Sequence, residues 1–338
     1  MSDVIANLNE PGEPGQSGCC VTLSVEHETR YDYDSPVEQA HHLAHLRPID
    51  DGAQRVELFD CLIEPTPAHQ RAERDVFGNH RTSFSITSPH EHLRVLVRSQ
   101  VKLAPRPVEP GPGQPWEDVR SHLAFRVGEP FEPAAEFAFA SPYVPLHAEL
   151  RDYALASFTP GRGLADAAVE LMQRIHRDFA YEPAATEVST PTLDAFEQRH
   201  GVCQDFAHVM IGCLRSIGLA ARYVSGYLLT HPAPGQPRLI GADASHAWVS
   251  VYCPPLDSAF EPVAGPWLEL DPTNDRLAQT DHVRLAIGRD YGDVTPLRGV
   301  IRGGGAHTIL VRVTTEPVGS ADETDRETDH EAVTLPAD

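Results

Sequence analysis

The period of the apolar residues changes part-way along this chain, and the change limits the architectures open to it. Between residues 20 and 104, in "CVTLSVEHETRYDY", "QRVELFDCLIEP", "RTSFSITSP" and "HLRVLVRSQVKLAP", Val, Leu, Phe and Thr alternate with polar residues between Pro, Gly and Asn punctuation. Val95, Val97 and Ser99 interleave with Leu96, Arg98 and Gln100, the pattern of half-buried strands. From residue 164 the spacing becomes three and four. Ala168, Leu171, Ile175 and Phe179 trace one helical face, and Phe206, Met210, Cys213, Leu214 and Ile217 another, with Gly218 placed as a C-cap. Alternation then returns in "ARYVSGYLL", "HAWVSVYC", "PWLELDP" and "HTILVRVTTE".

A run of strands followed by helices and then strands predicts an all-β, sandwich-like domain preceding an α+β domain. The Pro/Gly stretch "APRPVEPGPGQPW" at 104–116 reads as the linker between them. The Pro/Gly/Glu-rich residues 1–18 and the acidic residues 316–338 bury little and are expected to be disordered tails. The β-rich domain is thereby assigned to 19–106 and the α+β domain to 107–315. At 338 residues and 41% hydrophobic content the chain can supply both cores.

A net charge of -22, with no Lys/Arg run to overcome it, argues against a nucleic-acid partner. The cysteines at 19, 20, 61, 203, 213 and 253 form no CxxC pair and no disulfide or zinc framework. Reduced thiols, no cofactor, no membrane partner and a cytoplasmic location are the expectations. The start of the chain lacks a basic, long-apolar leader, and no apolar run reaches the roughly twenty residues of a membrane span.

One thiol stands apart. In "RHGVCQDFAHVMIGCLRSIGLAARYVSGYL", Cys203 lies where loop becomes helix, whereas Cys213 lies inside the apolar stripe. The orphan N–H groups and positive dipole end of a helix start favour an anion, the form in which sulfur is a nucleophile. Such a thiol needs a base and a group to orient it. His246 opens the strand of "GADASHAWVSVYCP" and shares a face with Trp248 and Ser250, while Asp271 closes the strand of "GPWLELDPTND" and shares one with Trp267 and Glu269. Antiparallel pairing of those strands would bring His246 to Asp271. Each has a plainer use: Cys203 as a small buried apolar residue, His246 as a core-edge histidine, and Asp271 as an Asx-turn residue before Pro272. Asp205, in the first helical turn, fits a dipole partner better than a catalyst.

"GVCQDFAH", "RYVSGY", "SHAW", "DPTND" and "GRDYGDVTPLRG", in this order, resemble the bacterial transglutaminase-like superfamily. "HETRYDYDSPV", "LRP" and "DVFGN" resemble the β-rich domain that precedes that core in one bacterial branch. The resemblance covers roughly residues 21–315. It implies a papain-like core with Cys203 as nucleophile, His246 as general base and then acid, and Asp271 as the orienting carboxylate. It also implies amide-bond chemistry through a thioester on a peptide or protein substrate.

A peptidase or amidase is the first expectation, because nothing in the sequence encodes a tunnel for an amine acceptor. A protein-glutamine acyltransferase, or a silent peptide-binding module, is the alternative. The backbone N–H of Cys203 is the expected first oxyanion donor, with Gln204 and Trp248 as candidates for the rest of the cleft. The loop "HPAPGQPRLIGAD" at 231–243 is expected to govern specificity. "HHLAHLRP", with His41 and His45, lacks a completing carboxylate, and neither it nor "PHEHL" matches a zinc-helix motif, so no metal is expected.

Overall fold

A computed structural model of the chain describes residues 20–106, 113–128, 131–182, 190–230, 245–255 and 266–319. The segments expected as disordered tails fall almost wholly outside these residues. The predicted specificity loop at 231–243 does so entirely.

The first domain is organised around one long strand, β1 (Val21–Ala44). Its first half lies between β5 (His90–Leu103) and β14 (His307–Pro317), and its second half between β4 (His80–Ile86) and β13 (Leu297–Gly303). β2 (Gln54–Glu64) adds to β5, and β3 (His69–Arg74) to β4. The register of β1 breaks between Asp32 and Val37, around Pro36. The halves turn onto one another there, with Leu93, Val95, Val97 and Ile63 packing against Val37, Ala40, Phe84 and Ile86. The strand at 307–317, read from sequence as part of the α+β domain, instead pairs with β1 from Leu23 to Tyr33.

Among the described residues the α-helices are α1 (Trp116–Leu123), α2 (Ala148–Leu155), α3 (Leu164–Asp178), α4 (Thr192–Gln198), α5 (Cys203–Ser216) and α6 (Tyr291–Val294). A five-stranded antiparallel sheet runs in the order β11 (Arg276–Leu277), β10 (Trp267–Asp271), β9 (Ser245–Tyr252), β8 (Ala221–Leu228), β12 (His282–Gly288). A parallel pair, β6 (Ala180–Tyr181) with β7 (His200–Gly201), leads into α5.

The apolar pattern of α5 suggests one buried stripe, yet residues 204–215 are buried on every side. The helix lies between the sheet and α2, α3 and α4, so its polar residues need internal partners. Arg215 donates to the carbonyls of Ala221 and Arg289 at 2.8 and 2.6 Å. His208 Nε2 accepts from the Tyr291 N–H at 3.2 Å. Gly218, at φ +83°, closes the helix with Leu219 N–H on Leu214 O and Gly218 N–H on Arg215 O, the two bonds of a Schellman motif.

Two amide side chains join the domains. Gln54 Nε2 donates to Arg284 O and its Oε1 accepts from Arg284 N–H, both at 2.8 Å. Asn79 does the same for Ile287, at 2.7 and 2.8 Å. The outer edge of β12 is therefore paired at two points by side chains that imitate a neighbouring strand. Asn79 ends the "DVFGN" segment, where Asp75 Oδ1 accepts from Phe77 and Asn79 N–H and Gly78 takes φ +84°. That motif shapes a turn whose product is the Asn79 amide.

Candidate active site

Cys203 is the first residue of α5 and is half-buried. The approach is shaped by Gly201, where a Cβ would stand 2.4 Å from Asp205 Oδ2. Asp205 uses that oxygen to accept from Val202 N–H at 2.8 Å, satisfying a donor at the helix mouth. Asp205 thus acts as a cap, in line with its first-turn position. Tyr181 and Tyr223 come within electrostatic reach of the Cys203 sulfur, and burial first and that sulfur second push both phenols up.

β9 and β10 pair antiparallel, with Leu270 opposite Val249. One face carries Val249, Val251 and Leu270 into the main core, so the opposite face must carry His246, Trp248, Glu269 and Asp271. His246 Nε2 and Asp271 Oδ2 are 2.8 Å apart. The Cys203 sulfur lies within electrostatic reach of His246 and helps to hold the proton on its ring. With Nε2 turned to the carboxylate, Nδ1 is the ring nitrogen left to address the sulfur.

Burial disfavours a charged imidazole at this site, but the charge and hydrogen bond of Asp271, joined by Cys203, hold His246 up at about 10. For Asp271 burial pushes upward, and the charge and hydrogen bond of His246 with the hydrogen bond of His282 bring the carboxyl well below the usual carboxylate range. The two oxygens of Asp271 have separate partners. Oδ1 accepts from Thr273 and Asn274 N–H at 3.0 and 3.2 Å as an Asx turn, while Oδ2 faces His246 and accepts from Asn274 Nδ2 at 2.7 Å.

Trp248 does not line an open cleft. Its ring is fully buried, stacked on His246 with centroids 6.0 Å apart, and its Nε1–H donates to Glu269 Oε2 at 3.0 Å. The indole N–H expected as a possible oxyanion donor is therefore committed to a buried carboxylate, which Arg106 and Arg284 also bind. Gly226 makes room for the indole, because a Cβ there would fall 2.5 Å from it. Gln204 is buried one residue into the helix.

His282, the first residue of β12, completes the arrangement and has no counterpart in the sequence reading. Its Nε2 is 3.2 Å from Asp271 Oδ2 and its Nδ1 is 2.5 Å from Asp281 Oδ1. The ligand-type atoms of His246, Asp271 and His282 lie within 4.8 Å of one another, close enough to hold a metal ion. The Asn274 amide donates into this group, however, and hydrogen bonds account for each of the three atoms. The histidines of "HHLAHLRP" separate: His42 stacks on Phe84, and His45 Nδ1 meets Thr295 O.

Family models match both parts of the chain: the bacterial transglutaminase-like N-terminal region at residues 23–102 and the transglutaminase-like superfamily at 154–272. An uncharacterized protein of Mycobacterium tuberculosis, Rv2569c, is 41% identical over 281 residues, covering 82% of this chain and 86% of that protein.

The chain belongs to the bacterial transglutaminase-like proteins.

Among characterised names, this transglutaminase-like chain is 32% identical over 168 residues to a protein-glutamine gamma-glutamyltransferase of Pseudomonas aeruginosa, covering 46% of this chain and 24% of that enzyme. A crystal structure of a Cytophaga hutchinsonii protein described as a candidate cysteine protease superposes with a TM-score of 0.67. It shares 16% identity over 90% of this chain and 92% of that one, a likeness of fold. Among the described residues no helix is long and apolar enough to cross a membrane.

Proposed function

We propose that this transglutaminase-like protein is a cysteine enzyme that cleaves amide bonds through a thioester on Cys203, with water as the usual acceptor. The observation that carries the reading is the His246 imidazole, 2.8 Å from Asp271 Oδ2 on one side and within electrostatic reach of the Cys203 sulfur on the other. His246 takes the thiol proton, and the sulfur attacks the substrate carbonyl to give a tetrahedral intermediate. The backbone N–H of Cys203, in the first helical turn, has no intrahelical acceptor and suits the oxyanion. Collapse forms the thioester as the C–N bond breaks and His246 Nδ1 returns its proton to the departing amine. Water, deprotonated by the same imidazole, then releases the acid and the thiol.

Transfer to an amine is the second reading. It is favoured by the partial match to the Pseudomonas aeruginosa transferase and differs only in the acceptor.

The reading is tested by the rate at which iodoacetamide labels each thiol. Burial pushes Cys61 up to about 11 and Cys213 and Cys253 up to about 12, so at neutral pH roughly one in ten thousand or fewer of these is thiolate. Cys203 should label fastest by peptide mapping, ahead also of the exposed Cys20. The rate should fall at least about a hundredfold in His246→Ala, the least expected from a lost general base. Labelling of Cys203 no faster than Cys20, or unchanged in His246→Ala, refutes the assignment. With that in hand, peptide and isopeptide libraries with and without added amine, and Cys203→Ala as the blank, separate hydrolysis from transfer.

A further inference from the structure

We infer that His282 is a positioning residue for the reaction, holding the Asp271 carboxylate in the orientation from which it fixes His246. The inference rests on the proposed role of Cys203 and His246. It starts from the lone pairs of Asp271. Oδ1 is fully used by the two backbone N–H groups of its turn. Oδ2 receives His246, Asn274 and His282 together, at 2.8, 2.7 and 3.2 Å. The bond that matters for the thiol therefore shares its oxygen with two others, and the direction in which Oδ2 points depends on all three.

His282 is suited to that task by its own fixation. Its ring is fully buried and lies edge-on to Trp248, with centroids 5.1 Å apart. Its two nitrogens face two carboxylates, Asp281 and Asp271. Asp281 is tied in turn to Arg276 at 2.8 Å. A continuous line of polar contacts runs from Arg276 at the surface through Asp281, His282, Asp271 and His246 to Cys203. The ring sits at the start of β12, whose outer edge is held by Gln54 and Asn79 of the first domain. That domain thus supports the strand from which the carboxylate is oriented. Outer hydrogen-bond partners of this kind are known to matter where they orient metal-bound imidazoles, at about ten- to hundredfold.

The test compares iodoacetamide labelling of Cys203 in the full chain as wild type, His246→Ala, His282→Gln, His282→Leu and Asp281→Asn, across a pH series. His282→Gln keeps an N–H donor near the Nε2 position, and His282→Leu keeps bulk without one. The expected result is about tenfold slower labelling in His282→Leu, with a displaced pH profile, and a rate within about threefold of wild type in His282→Gln. Asp281→Asn should fall between them. A folded His282→Leu protein with wild-type rate and profile overturns the inference while His246→Ala remains slow and the triad stands. Equal slowing in the Gln and Leu variants with an unmoved profile also overturns it, since that is the mark of general loosening. If neither His282 variant gives a native circular dichroism spectrum, Asp281→Asn decides: a wild-type rate there sinks the inference. Unchanged labelling in His246→Ala removes both readings at once.

Discussion

Replacing Asn79 by alanine should loosen one point on the edge of β12 and leave the rest of the sheet in place. Asn79 is fully buried. Its amide donates to Ile287 O at 2.7 Å and to Asp75 Oδ2 at 2.8 Å, and accepts from Ile287 N–H at 2.8 Å. Each neutral bond contributes about 0.5–1.5 kcal/mol net, and the bond to the carboxylate about 1.5–3. Some of the latter is recovered because Asp75 retains its two backbone donors. A local loss of about 2–4 kcal/mol follows, and at 1.4 kcal/mol per decade this is about a 30- to 700-fold change in an opening equilibrium. Hydrogen exchange resolved to single amides reads that number directly. The Ile287 amide, protected in the wild type although it lies on a sheet edge, should lose that protection in Asn79→Ala. The Arg284 amide should not. Gln54→Ala should reverse the pattern, because Gln54 serves Arg284. Exchange at Ile287 within about threefold of wild type in Asn79→Ala, outside the range just worked, would mean that the side-chain imitation of a strand contributes nothing there.

Three further outcomes follow from the site. Trp248→Phe removes the N–H donated to buried Glu269 and should destabilise the protein by about 1.5–3 kcal/mol in urea unfolding; an unmoved midpoint would count against that bond. Gly201→Ala drives a Cβ onto Asp205 Oδ2. It should cost about 1 kcal/mol, the usual value of a helix cap, and slow labelling of Cys203, whereas a wild-type rate would show the cap to be independent of the thiol. The third concerns pH. His246 is held up at about 10, so its pairing stabilises the folded state fully below the unfolded value near about 6.5 and progressively less as pH rises through about 10. The gap in urea midpoint between wild type and His246→Gln should therefore shrink from neutral to alkaline pH, and a gap that widens would contradict the assignment.

The periodic parts of this fold were legible from the residues alone. Leu164–Asp178, Cys203–Ser216 and the strands at 221, 245 and 267 lie where their spacing put them, because each buries a face whose pattern is local. The meeting of His246 with Asp271 was legible for the same reason, once alternation had set the faces of two neighbouring strands. What escaped was non-local. β12 was not read, since "HVRLAIG" is buried along nearly its whole length and loses clean alternation, and His282 was lost with it. The strand at 307–317 reads equally well in either domain, and only its pairing with β1 assigns it. Trp248 read as a core residue that could also wall the cleft, and its burial against Glu269 settles it in the core.

The pairing of β1 has a consequence for how the protein is made. During synthesis its first half can find β5 early, but β13 and β14 flank it on the other side and leave the ribosome only after the whole catalytic segment. The opening sheet must wait, one edge bare, until translation reaches Leu297 and beyond. Stopping short of those strands would leave Ile301 and Val313 missing from the two cores they enter, so the β-rich region is a scaffold closed by the chain's return and not a module that can be cut away at Arg106.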